Sequence, residues 1–285
     1  MSTDISMDFS MDISKDFSIE KKYGKLCNIL KAQGKVAVAF SAGVDSTLLL
    51  RAAIDALGSD KVLAVTAVSH SFPERENREA ELFCSASGVR RITVEVDQLS
   101  IPGFRENPAD RCYICKKELF GRMIEAAREN GFDKVAEGSN TDDLSDYRPG
   151  LAAIAELGVL SPLREAALSK GEIREISERL GLPTWNKPSM ACLATRFVYG
   201  ETITDEKLLR VERAEELLRE MGFTQYRVRI HGEDGRLARI EVMASEFGKL
   251  LENREPVTEK LREYGFEYVS MDLQGYRTGS MNEVL

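Results

Sequence analysis

The sequence predicts an α/β protein: a doubly wound, mostly parallel sheet followed by a smaller C-terminal α+β domain. Short Val-rich runs alternate with helix-length amphipathic stretches from about residue 19 to residue 140. One of those runs passes through a small-residue loop straight into a helix, where open α/β sheets bind ligands. After about residue 201 the order of elements changes, which marks the second domain.

Residues 1–18 repeat a D-[I/F]-S unit every four residues, with Ile5, Phe9, Ile13 and Phe17 near one helix face. The acidic, Ser-rich composition reads as a disordered or loosely docked extension. "EKKYGKLCNILKAQG" is a helix ending at Gly34, and "KVAVAF" is a buried strand. "STLLLRAAIDALG" is the next helix, closed by Gly58. Strand "KVLAVTAV", helix "PERENREAELFCSASG" and strand "RRITVEV" follow. A long loop then leads to helix "KKELFGRMIEAARENG" and strand "DKVAEG". A helix is expected from Lys170 to Leu180, and "TWNKPSMACLATRFVYGETIT" reads as irregular. Beyond it come a helix (204–221), strands "YRVRIHG" and "LARIEV" joined as a hairpin around "GEDG", helical sequence over 244–264, and strand "FEYVSMDL". The expected layout is an extension at 1–18, a large domain at 19–200 and a small domain at 201–285.

The chain has 285 residues, 43% of them hydrophobic, enough for a sizeable core. No apolar run approaches the roughly 20 residues of a membrane span. The N-terminus lacks the basic and apolar regions of a signal peptide, so a cytoplasmic protein with no membrane partner is expected. The net charge of −8 argues against nucleic acid as the main partner, because phosphate binding calls for a basic excess. Five cysteines do not suggest a disulfide framework in such a chain, and two histidines rule out a His-rich metal site.

The most informative stretch is "AVAFSAGVDSTLLL". Ser41, Gly43, Val44, Asp45 and Ser46 lie between a strand and a helix. Amide N–H groups at the helix start favour an anion, and the serines add hydroxyl donors. The Walker A pattern is absent. After the fourth strand, "EGSNTDD" brings Asn140, Asp142 and Asp143 to the same end of the sheet, to order the loop, cap a helix or touch a nucleotide. Ser69, after the second strand, is placed by fold position to contact adenosine. Arg227 and Arg229 alternate along one strand, so they share a face that suits oxyanions. Arg196 is a further candidate for phosphate or carboxylate. Glu216 and Glu241 are candidates for metal binding or proton transfer, although helix and strand carboxylates are most often surface residues.

"RCYIC" puts Cys112 and Cys115 three residues apart. The pair alone suits a redox dithiol, half of a zinc site, part of an iron–sulfur site or no site at all. Cys192 is a third thiol, while Cys27 and Cys84 lie among apolar helix positions and read as core.

The "SAGVDS" loop resembles the S-G-G-x-D-S loop of the PP-loop ATP pyrophosphatase superfamily, with an adenine nucleotide alpha hydrolase-like fold. It departs from it at Ala42, where Gly is usual. "EGSNTDDLSDYRPG", "KGEIREISERLGLP", "KPSMACLATRFVYG" and "RVRIHG...LARIEV" resemble the LarE family over about residues 19–275. That resemblance implies an ATP-dependent sulfur transferase of nickel-pincer cofactor biosynthesis, the cofactor of lactate racemase. It would act on a pyridinium biscarboxylic acid mononucleotide, adenylating carboxylates and converting them to thiocarboxylates. It implies that the loop grips pyrophosphate, that Asp45 places Mg2+, and that Arg227 and Arg229 meet the substrate phosphate. In one branch of the family the cysteine matching Cys192 gives up its own sulfur. In another, three cysteines matching Cys112, Cys115 and Cys192 hold a [4Fe-4S] cluster that carries sulfide from a sulfur donor. The resemblance also implies a homo-oligomer, a hexamer built through the small domain. The nearest rival is a PP-loop tRNA thiolase.

Overall fold

The computed structural model describes residues 6–69, 71–145, 149–188 and 191–283. His70, Ser189 and Met190 fall outside them, as do three residues of the "EGSNTDDLSDYRPG" string. Helix α1 (Ser6–Lys31) starts earlier than the helix expected near residue 19. It leads to strand β1 (Val36–Ala39), helix α2 (Val44–Leu57), strand β2 (Val62–Val68), helix α3 (Glu74–Ala86) and strand β3 (Arg90–Glu95). Helix α4 (Arg111–Glu129), strand β4 (Val135–Ala136), helices α5 (Gly150–Glu156), α6 (Pro162–Glu165) and α7 (Lys170–Arg179) complete the larger part.

The four strands form a parallel sheet in the order β3-β2-β1-β4, and a parallel bridge from Ala136 to Leu160 extends it. Both faces are covered, as the near-continuous apolar strands require. Val36, Val38, Val62 and Ala64 pack with Leu26, Leu30, Leu49 and Ile173 on one side. Their neighbours Ala37, Leu63 and Val65 pack with Leu119, Phe120 and Met123 of α4 on the other. The chain therefore winds both ways from β1, and the strand order reverses between β1 and β4. Ligands of open α/β sheets bind outside the carboxyl ends of the strands at such a switch point.

One expected boundary is corrected. The helix expected from Lys116 starts at Arg111, so Cys112 and Cys115 lie within its first five residues and not in the preceding loop. Asp110, an N-cap residue type, precedes the helix, although its side chain makes no cap bond.

The smaller part holds helix α8 (Asp205–Glu220), strands β5 (Tyr226–His231) and β6 (Leu237–Val242), helices α9 (Phe247–Glu252) and α10 (Arg254–Glu263), and strand β7 (Tyr268–Met271). Strands β5 and β6 pair antiparallel as the expected hairpin, with Arg227 opposite Glu241 and Arg229 opposite Arg239. The α9–α10 crossover returns β7 parallel to β6. The apolar cluster beneath α4 continues through Leu193 and Phe197 into Leu208, Val211, Val228 and Ile240. Phe197 also bridges Ile230 of β5, so the Cys192 segment is fastened against the small sheet. Among the described residues no helix is long and apolar enough to cross a membrane.

Candidate active site

Strand β1 delivers residues 40–46 to the switch point. Helix α2 begins at Val44, with Gly43 extended at the N-cap (φ −82°, ψ 168°). The first turn of a helix leaves its amide N–H groups without helical partners. The two serines brace the loop. Ser46 Oγ donates to the Gly43 carbonyl and accepts from the Ser41 N–H, both at 3.3 Å, with Ser41 Oγ 3.2 Å away. Ala42 has φ 54°, a left-handed conformation that costs a non-glycine residue about 1–2 kcal/mol. Lys187 steadies it, donating to the Ala42 carbonyl at 3.0 Å while pairing with Glu79 at 2.5 Å.

Asp45 ties this loop to two others. Its Oδ1 accepts from Asn140 Nδ2 at 3.1 Å, and its Oδ2 pairs with Lys170 at the start of α7. The Asn140 loop is itself ordered. Asn140 N–H donates to Asp143 at 3.0 Å, Asn140 Oδ1 accepts from Asp142 N–H at 2.9 Å, and Asp142 accepts from Lys170 N–H at 3.0 Å. Gly138 lets the loop lie against the start of α2: a Cβ there would stand 3.2 Å from both Ser46 N and Asp45 Cβ. Gly138→Ala is expected to lower stability by about 1–3 kcal/mol through overpacking and to weaken ATP binding. Thermal unfolding and equilibrium dialysis with ATP check this; unchanged affinity would mean that the contact does not set the loop.

The three candidate thiols share one neighbourhood. Cys115 is buried in the α4 cluster, and Cys112 and Cys192 are half-buried. Burial, and then the nearby Cys192, push the Cys115 thiol up to about 12, against the N–H of Gln98 Nε2, 2.8 Å from its sulfur. Burial also raises Cys192, opposed by Arg111. Both are therefore thiols at neutral pH. Among the described residues no three Cys, His, Asp or Glu side chains are gathered closely enough to hold a metal ion. The arrangement is thus three neighbouring thiols and not a formed metal site. Cys84 is buried core, and Cys27 is half-buried against the same cluster, in line with the sequence.

The arginines surround the Cys192 turn. Arg196, at 0% exposure, forms a double ion pair with Glu215 of α8, both contacts at 2.8 Å. Its Nη1 donates to the carbonyls of Ala191 (2.7 Å) and Cys192 (3.1 Å) and to Thr195 Oγ1 (2.9 Å). In this arrangement its donors go to protein groups, and they shape the turn that carries Cys192. Arg229 donates to the Thr195 carbonyl at 3.1 Å and pairs with Glu241 at 2.7 Å. Arg227 stacks 5.2 Å from the Tyr276 ring centre, and burial, then Arg196, push its guanidinium down to about 10. So the two strand arginines do share one region, but they are buried there and not solvated.

Glu241 is likewise interior, at 0% exposure, between Arg229 and Arg239. Glu216 is on the outer side of α8, paired with Arg219 at 2.7 Å and Arg75 at 3.5 Å. The structure therefore sets these two carboxylates in different surroundings. Ser69 donates to Gln98 Oε1 at 2.6 Å, and the amide of the same Gln98 donates to Cys115. Ser71, two residues on, accepts from Leu193 N–H at 3.1 Å. The end of β2 thus touches both the Cys115 side and the Cys192 side. Gln98, Gly138, Lys170, Lys187 and Arg111 were not singled out from the sequence. Arg111, Gly138, Lys170 and Lys187 lay inside strings that had drawn notice, and only Gln98 lay outside them.

A parallel sheet with the "SAGVDS" loop opening a helix after β1, an Asn-Asp loop after β4 and a strand order reversing between them defines a PP-loop α/β protein. Comparison with known proteins narrows the class. No family model matches the chain. It is 41% identical over 269 residues to an uncharacterized protein of Synechocystis sp., covering 94% of this chain and 99% of that one. It is 38% identical over 268 residues to the pyridinium-3,5-bisthiocarboxylic acid mononucleotide synthase of Lactiplantibacillus plantarum, covering 94% and 96%. A weaker match, 29% over 161 residues, joins 53% of this chain to 40% of the argininosuccinate synthase of Natronomonas pharaonis. The chain belongs to the LarE family, that of the pyridinium-3,5-bisthiocarboxylic acid mononucleotide synthase.

Proposed function

We propose that the chain is an ATP-dependent sulfurtransferase that adenylates carboxylates of a pyridinium biscarboxylic acid mononucleotide and converts them to thiocarboxylates. The observation that carries this reading is a juxtaposition: the "SAGVDS" loop opens α2 at the switch point, and three neighbouring thiols lie beside buried arginines. Similarity to the synthase supports the choice of substrate.

A substrate carboxylate oxygen attacks the α-phosphorus of ATP. The new P–O bond forms as the bond to pyrophosphate breaks. Ser41, Ser46 and the first amides of α2 take the charge of the departing pyrophosphate; Asp45 would hold Mg2+ and Lys170 would meet the phosphates. The acyl-adenylate now has a good leaving group. Sulfur brings its electron pair to the acyl carbon, the C–O bond to AMP breaks, and AMP leaves with that pair. Arg227 and Arg229 hold the polyanionic substrate near the Cys192 turn.

For the sulfur, we propose that Cys112, Cys115 and Cys192 close from their present spacing to ligate a [4Fe-4S] cluster. When bound, the cluster supplies an iron without a protein ligand, open to hydrosulfide. The test is anaerobic reconstitution with iron and sulfide, followed by a count of thiocarboxylate per chain. More than one per chain is expected, with Cys112→Ala losing iron but keeping ATP affinity. One per chain, with Cys192 losing its sulfur, would replace the cluster by sacrificial transfer.

A further inference from the structure

Arg111 opens α4 and is 3% exposed. It donates to the Asn107 side-chain oxygen and, at 3.0 Å, to the Ala194 carbonyl; its Nη2 lies 4.0 Å from Cys112 Sγ. Its guanidinium carbon stands 5.6 Å from the centre of the Tyr199 ring. Asn107 is itself fully buried, holds φ 52°, and anchors the Val198 carbonyl at 2.6 Å, so the seat is fixed from both sides. None of these partners is a carboxylate. The buried Arg196 and Arg229 each face a glutamate, but among the described residues no carboxylate pairs with Arg111. A buried guanidinium without a counter-anion is unfavourable, and an arriving anion relieves it.

The surroundings say which anion. Cys112 Sγ is within reach of the guanidinium, and the Ala194 carbonyl that Arg111 holds lies two residues from Cys192. The Cys112 sulfur beside the guanidinium is polarizable, which suits a soft, singly charged ligand better than a phosphate. We propose that Arg111 seats the sulfur anion that is transferred, as hydrosulfide before the step or as the thiocarboxylate after it. This deepens the sulfur-transfer reading and rests on it. In the step, hydrosulfide gives its electron pair to the acyl carbon, AMP departs with the C–O pair, and the hydrosulfide proton passes to solvent. No oxidant or reductant is needed.

The test compares two alkylating probes at Cys112, anionic iodoacetate and neutral iodoacetamide, at one pH and read by peptide mass spectrometry. Their rate ratio cancels the thiolate fraction and reports the local field. In the native chain the ratio is expected to be about tenfold above that of Cys112 in the urea-unfolded chain. Arg111→Met should bring it down to the unfolded value, and Arg111→Lys should keep most of it. Thiocyanate should slow the iodoacetate reaction more than chloride at equal ionic strength. Equal native and unfolded ratios, or a ratio unmoved in Arg111→Met, would overturn the seat, and the native comparison holds even where the variant does not fold. Equal suppression by the two salts would overturn the sulfur assignment. No nucleotide, iron or substrate is present, so failure here is separate from failure of the sulfur-transfer reading.

Discussion

Asp45→Ala is expected to slow pyrophosphate release from ATP by about 10²–10³-fold, the range seen when one charge-stabilising group is lost. Asp45 is where three loops meet: its own at the start of α2, the Asn140 loop after β4, and Lys170 at the start of α7. Alanine removes the charge and both contacts together. Asp45→Asn separates the roles, because it can still accept from Asn140 but cannot pair with Lys170 or bind Mg2+ as an anion. If charge is what counts, Asp45→Asn falls nearly as far as Asp45→Ala in a steady-state pyrophosphate assay. If the loops only need bridging, the asparagine variant keeps most of the rate. Thermal unfolding of both variants should change little, since Asp45 is partly exposed and its pair with Lys170 is screened.

The second large effect concerns stability. Glu215→Gln leaves Arg196, at 0% exposure, without its counter-charge. Breaking one side of a buried pair costs about 3–5 kcal/mol, which for a chain of this size lowers the thermal midpoint by on the order of 10 °C. The double change Arg196→Met with Glu215→Leu should be milder than Glu215→Gln, because it strands no charge. The pair also sets a pH dependence. Burial alone would raise the Glu215 carboxyl, but Arg196 and the Val228 N–H outweigh it and hold it below the usual carboxylate range. A depressed carboxyl contributes stability that is fully present above its unfolded value of about 4.3 and is lost as pH falls through the folded value. The native chain should therefore lose this contribution in acid denaturation below about pH 4, whereas Glu215→Gln has none to lose in that window. Chemical unfolding midpoints at pH 7 and in the acid range decide the matter.

The sheet was legible because its signals are local. Val-rich runs, amphipathic helices and the "SAGVDS" loop each lie within a dozen residues, and the strand-to-helix passage puts the loop at a carboxyl end without further information. What lay hidden depends on residues brought together across the chain. Arg196 reads as a substrate arginine until Glu215, on another element, takes its fork. Glu241 reads as a candidate metal or proton-transfer carboxylate until the hairpin register sets it between Arg229 and Arg239. Gln98 links Ser69 to Cys115 from a short turn with no motif of its own. The start of α4 did carry a local signal, Asp110 at the N-cap, which the boundary expected at Lys116 passed over.

The most direct measurement is pyrophosphate release by the purified chain with ATP and Mg2+, with and without the pyridinium biscarboxylic acid mononucleotide. Release that depends on the carboxylate substrate, matched by AMP once sulfide is added to the iron-reconstituted chain, is the expected result. Release at the same rate without the substrate, or ATP binding with no release at all, would contradict adenylation at this site.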